Sequence, residues 1–151
     1  MEKQRKAPLI AFSVLWFLAM EALGIAGWFM RQGQVEDYAR SSLTPPTAAF
    51  FAVWTLLFGL LAAAFVLLRL AGEKGTLVLL LGALNALWVA VYFVWASPMA
   101  ALALLAGMIV LCFFAIARAF EVQPLAGWLL VPYALWLCFA LVLTYFVAFM
   151  N

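Results

Sequence analysis

The chain has no histidine, two cysteines and few charges, with eight Lys and Arg, six Asp and Glu, and 9% charged residues overall. Each shortage removes a class of function. Without histidine or a Cys/His cluster, a transition-metal or haem-ligating site has little to be built from, and no metal site is assigned. Cys112 and Cys138 lack C-x-x-C spacing, and we read both as small apolar packing residues. There is no group of convergent carboxylates, no P-loop and no Gly-rich dinucleotide fingerprint. Conventional hydrolytic or redox catalysis is therefore not written here, and no catalytic residue is assigned. The net charge of +2, with no basic domain, also speaks against a nucleic-acid partner.

What the sequence has in abundance is apolar length. Hydrophobic residues make up 71% of it, and apolar runs long enough to cross a hydrocarbon core, about 20 helical residues, recur throughout. Five spans can be drawn, at about residues 8–30, 46–70, 76–96, 98–119 and 124–149. These runs are too long and too continuously apolar for barrel strands. The expectation is one all-α integral membrane domain over residues 1–151, a bundle of five transmembrane helices. The basic start followed by an apolar run has the outline of a cleaved signal peptide. Apolar character continues past Gly24 to Met30, however, so the segment is read as the first span.

Six basic residues (Lys3, Arg5, Lys6, Arg69, Lys74, Arg118) fall on one side of this arrangement and two (Arg31, Arg40) on the other. The excess of Lys and Arg puts the N-terminus in the cytoplasm and the C-terminus outside. A bacterial plasma membrane is the expected location.

In so apolar a chain, polar residues inside spans carry information. Glu21 lies near the middle of the first span, where an ionised carboxylate costs about 3 kcal/mol even on the lenient insertion scale. Two readings stand open: a contact to a ligand or proton, or a bond to a neighbouring helix. At about 100° per residue, Asn85, Trp88 and Tyr92 share one face of the third span, and Gly82, Ala86 and Ala90 share another. Small residues four apart let backbones approach closely. The Gly82, Ala86 and Ala90 face can therefore serve a homodimer or a sister helix of the same chain.

Seven tryptophans are present. Trp28, Trp95 and Trp128 lie near span ends, where interfacial anchoring accounts for them. Trp54, Trp88 and Trp136 are deeper. A buried indole N–H needs a partner, so these three either fill space or wall a cavity with a few hydrogen-bonding groups. Upstream, Pro45 and Pro46 suit the first turn of the second helix, with Thr44 as N-cap candidate. Trp54 follows about 12 Å along that helix from Pro46, at 1.5 Å per residue, with Phe50 and Phe58 a turn either side.

Tyr38, the Pro45-Pro46 pair, Trp54, "NALWVAVYF" from Asn85 and "VPYALWLCFA" from Val131 occur in the order and spacing of one family. Together with "LFG" at residues 57–59, they resemble the tryptophan-rich sensory protein/translocator protein (TspO/MBR) family across all five spans. The resemblance implies a five-helix bundle, often homodimeric, that binds porphyrins and other hydrophobic ligands in a pocket beneath the first loop. Some bacterial members have been credited with light-dependent breakdown of protoporphyrin involving pocket tryptophans. By this resemblance the ligand-binding positions are Tyr38, Pro45, Trp54, Asn85, Trp88 and Trp136. Protoporphyrin or a related tetrapyrrole enters as ligand, with no cofactor required.

The chain departs from the family pattern where Asp37 stands for a Trp, Leu81 for a Gln and Thr144 for an Asn, and the first loop is shorter. These changes bear on ligand identity more than on fold. The family's sterol pattern needs a Lys or Arg after Tyr145, and none follows. Two other readings remain: a small transporter of hydrophobic solutes, although no internal repeat is visible, and a structural subunit of a membrane complex.

Overall fold

The computed structural model describes residues 2–30 and 46–150, without the side chains of residues 2–5, Trp28 and Thr47. Five long helices account for nearly all of them. They are α1 (Glu2–Phe29), α2 (Thr47–Leu70), α3 (Thr76–Val89), α4 (Pro98–Val122) and α5 (Pro124–Phe149), and α3 continues into a π-helical turn, Ala90–Val94. Five segments are long and apolar enough to cross a membrane, in agreement with the spans drawn from sequence. Helices dominate because lipid offers the backbone no hydrogen-bond partners, so each segment must satisfy its own N–H and C=O groups.

Several boundaries differ from expectation: α1 ends at Phe29 and the third span at Val94, one and two residues short of the spans drawn, and three others differ as well. Helix α1 begins at Glu2 and runs through Pro8, so it extends well before the apolar span. Helix α4 runs to Val122, and Arg118 and Glu121, three residues apart, pair on the surface of its last turns at 3.0 Å. Helix α2 starts one residue later than drawn. Pro46 occupies its N-cap position with no side-chain cap, and its carbonyl accepts the first helical bond from the Phe50 N–H at 3.0 Å. A proline suits this place because its missing N–H would have no partner there.

Packing closes the helices into a ring. Helix α1 lies on α2, α2 on α5, α5 on α4, α4 on α3, and α3 returns to α1. The most extensive contact is the α4–α5 hairpin, joined through the extended residue Gln123 (φ −151°, ψ 94°). Helix α4 buries Ala101, Leu105, Met108, Cys112, Ala115 and Ala119. The alternating steps of four and three are those of a coiled-coil seam, and the small residues within it allow close approach in lipid. Cys112 thus takes the packing role expected of it, whereas Cys138 is exposed and takes none in the core; both thiols are free.

Helix α1 is attached more lightly. Its apolar window is 11% buried, against 28–44% for the other four. Its buried residues are Ser13, Met20 and Gly27, two turns apart each time, so it meets the bundle along one narrow strip. A Cβ on Gly27 would lie 2.6 Å from Val89 Cγ1. A Cβ on Gly82 would collide with the indole of Trp16. Of the two uses open to the small-residue face, Gly82 therefore serves packing within the chain; Ala86 and Ala90 are partly buried.

At the end of the bundle that carries the α2–α3 connection, Glu73 clamps α4. Arg118 donates from Nε (3.0 Å) and Nη2 (2.8 Å) to Glu73 Oε2, and the Lys74 N–H donates to Oε1 at 3.0 Å. These bonds, Arg118 first, hold the Glu73 carboxyl below the usual carboxylate range.

Two outcomes follow from this packing. Gly82→Val should overpack the α1–α3 seam and cost about 1–3 kcal/mol, seen as a lower Tm in detergent. Trp16→Ala should suppress that loss in the double variant, since the two changes share one space. Glu73 has a depressed folded-state pKa, so its contribution is present at neutral pH and lost as pH falls through that value. The Tm difference between wild type and Glu73→Gln should therefore begin to shrink as pH falls below the ordinary glutamate range and vanish below the depressed folded-state value. The effect is small, because the pair is exposed.

Candidate functional site

The site is best built outward from Asn85. In the interior of a membrane bundle its amide must find a protein partner, and it does so in the phenol of Tyr133. The Tyr133 hydroxyl donates to Asn85 Oδ1 at 3.3 Å, with both residues buried. This long bond runs from α3 to α5, which are not adjacent in the ring.

Beside it lies an aromatic chamber. Trp54, from α2, is 6% exposed and sits at its centre. Its ring centroid is 6.0 Å from that of Trp88 on α3 and 6.2 Å from that of Trp136 on α5, the latter nearly perpendicular at 88°. Phe58 packs against Trp54 at 5.3 Å, and Phe50 bridges Trp54 and Trp136 at 6.1 and 6.2 Å. Three of the sequence-derived site residues, Trp54, Trp88 and Trp136, thus form one cluster, with Asn85 at its edge.

The π-helical turn completes the wall. The Trp95 N–H bonds back five residues to Ala90 at 3.0 Å, which widens the last turn of the third span. In a regular α-helix a residue five positions on lies about 140° around the axis, at 100° per residue. Trp88 stacks on Tyr92, four residues on, as a regular helix allows (5.1 Å, 17°), and across the wider turn it also meets Phe93 edge-on (6.1 Å, 83°). Such turns recur at functional sites. The chain then reverses through Ala96, at a φ of 51°.

Between these rings is a cavity of about 30 Å³. Glu21 and Gly24 border it from α1; Trp54 and Phe58 from α2; Asn85 and Trp88 from α3. Trp136 stands behind Trp54 and does not itself line the cavity. Room of this size takes about two waters, so the chamber is filled by its own side chains. It lies at the end of the bundle where α1 leaves for residue 31 and α2 returns from residue 45. Tyr38 and Pro45, the other two expected ligand positions, fall outside the described residues.

The polar groups here are incompletely paired. The indole Nε1 atoms of Trp54, Trp88 and Trp136 are buried and have no hydrogen-bond partner among the described residues. Glu21 satisfies one of its two open readings directly, since Thr55 Oγ1 donates to Glu21 Oε2 at 3.1 Å. Its Oε1 is buried without a partner. A buried unpaired donor or acceptor costs about 1–3 kcal/mol, so four at one place are a concentrated local debt in polar satisfaction. Among the described residues, no three His, Cys, Asp or Glu side chains come together.

Sequence reasoning passed over Tyr133, Thr55 and Phe93. Tyr133 stood inside the quoted Pro-Tyr-x-x-Trp motif, and its fully buried hydroxyl was the missing partner of Asn85. Thr55 adjoins Trp54 but gave no signal, because a threonine can bond its own helix. Of the three residue departures from the family pattern, Asp37 lies outside the described residues, Leu81 is fully buried, and buried Thr144 turns its hydroxyl onto the Ala140 carbonyl at 2.8 Å. Neither Leu81 nor Thr144 leaves a free polar group behind.

The profile of the TspO/MBR family matches residues 16–150. A search of curated proteins found no match. The matched stretch contains all of α2 to α5 and the chamber-forming part of α1. Through it the chain belongs to the TspO/MBR family of five-helix integral membrane proteins, whose membership supports a role of membrane sensor or receptor type.

Proposed function

We propose that the protein is a membrane receptor or sensor that binds a flat, conjugated, poorly water-soluble ligand of the porphyrin class in the aromatic chamber. The observation that carries this is the set of unpartnered indole N–H groups of Trp54, Trp88 and Trp136. Rings stacked purely to fill space would leave their N–H groups on a polar neighbour or at the bilayer interface. Three buried donors without acceptors favour a visitor that supplies them. Porphyrins combine a wide apolar face for stacking with carboxylate acceptors at the edge, which is the complement of this wall.

A ligand of that size needs a site of roughly 300–1,000 Å³, far more than the 30 Å³ cavity. Binding on this reading moves aromatic side chains aside, and the incoming ring system takes over the contacts that they made with one another. Asn85 stays in place, held by Tyr133, as an orienting group. The excess of Lys and Arg on the N-terminal side supports a cytoplasmic N-terminus in a bacterial plasma membrane, with the chamber toward the outer face. Gly82 is occupied by Trp16, so a homodimer on the third span would rest on Ala86 and Ala90.

Titration of the purified protein with protoporphyrin should quench tryptophan fluorescence saturably. Trp54→Phe combined with Trp136→Phe should weaken half-saturation by about tenfold or more, read from the five remaining tryptophans. Unsaturable quenching, or unchanged half-saturation in a variant with unaltered Tm, rules the chamber out as the binding site.

A further inference from the structure

Glu21 stands apart from the rest of the chamber wall. The indoles of Trp54 and Trp88 can only donate. Glu21 brings an acceptor to the same cavity, at a depth where a carboxyl group is expensive and is kept only with a partner. Thr55 meets half of that need, since its hydroxyl holds Oε2 at 3.1 Å across the α1–α2 seam. Oε1 remains buried with nothing to accept from among the described residues. A carboxyl group serving only to join two helices would be complete once both oxygens were bonded; this one is bonded through one and idle at the other.

The orientation of Glu21 is also determined. Its neighbour Met20 is buried in the strip by which α1 meets the bundle, with Gly27 two turns further along. The bond to Thr55 then fixes the end of the side chain. A held acceptor on the same cavity as the unpaired indoles of Trp54 and Trp88 and the amide of Asn85 describes the ligand by complement. That ligand is flat and aromatic and carries acceptors on one part of its edge and an N–H on another, as an open or small N–H heterocycle does; a closed porphyrin supplies the acceptors, but its N–H groups point to its centre.

Resting on the reading of the chamber as a ligand site, we propose that Glu21, positioned by Thr55, is its specificity-determining contact. It accepts a hydrogen bond from a ring N–H of a planar heteroaromatic ligand, so the site selects N–H heterocycles over N-alkylated ones. A site built around such a bond rejects an analogue that lacks it, because the buried group is then left unpaired.

The test uses carbazole and N-methylcarbazole, planar fluorescent probes that differ at one nitrogen, titrated against the full chain in lipid nanodiscs with protein-free nanodiscs as blank. Carbazole should bind about 10- to 100-fold more tightly, the range expected when the N-methyl analogue leaves the buried Oε1 unpaired. The preference should fall to near unity in Glu21→Leu and persist in part in Glu21→Gln, whose amide oxygen still accepts. A merely structural tie would lower Tm in Glu21→Leu without moving the ratio. Equal affinities in the wild type, or a preference that survives in Glu21→Leu as steric exclusion of the methyl group would, overturns the proposal. So does failure of both probes to bind while protoporphyrin quenches saturably. If protoporphyrin also fails, the chamber reading falls, and this inference with it.

Discussion

One hydrogen bond sets the geometry of the chamber. In hydrocarbon there is no water to compete for the Asn85 amide or the Tyr133 phenol, so each is bound to find the other. Such bonds are modest, averaging about 0.6 kcal/mol in membrane bundles, but this one acts on position. It joins α3 to α5 across the interior, and the up-and-down order of the chain makes these two helices run the same way. Trp88 is three residues beyond Asn85, and Trp136 three residues beyond Tyr133. The bond therefore places both indoles on the same side of itself, about 4.5 Å further along their helices. Trp54, arriving on an antiparallel helix, fits between them.

Much of this was legible in the residues. Span number and order follow from hydropathy, since a helix in lipid has no alternative. Asn85 and Trp88 announced themselves because a polar or bulky group in an apolar run has to be accommodated somewhere. Features that depend on departures from regular geometry, or on pairing between distant segments, stayed hidden. Phe93 belongs to the chamber wall only because the chain bonds five residues back at Trp95, which a regular period of 100° cannot anticipate. Gly82 looked equally suited to a second copy of the chain, because nothing near it in sequence says that Trp16, 66 positions earlier, fills the space above it. Glu21 carried two readings in the sequence; Oε2 bonds a neighbouring helix through Thr55, and Oε1 has no partner among the described residues.

On the proposed reading, the chamber is an apolar site that keeps itself ready without standing empty. An open cavity large enough for a tetrapyrrole would forfeit dispersion contacts on every side. Here the rings that would embrace a ligand instead touch one another, at centroid distances of 5.1 to 6.2 Å. Exchanging ring–ring contacts for ring–ligand contacts changes packing little. The net gain then comes from the N–H groups that the closed state leaves unsatisfied.

The strip of Ser13, Met20 and Gly27 on α1 has a bearing on this chamber that its small area conceals. Contacts seven residues apart define the azimuth of a helix about its own axis and little else. A slip of one residue along that strip would swing Glu21 by about 100°, out of the chamber and into the acyl chains. The least buried helix thus works as a key with three teeth, Ser13, Met20 and Gly27. An enlargement at Gly27 would press on Val89 and Phe93, which border the cavity, and would turn the Glu21 carboxyl group away from it.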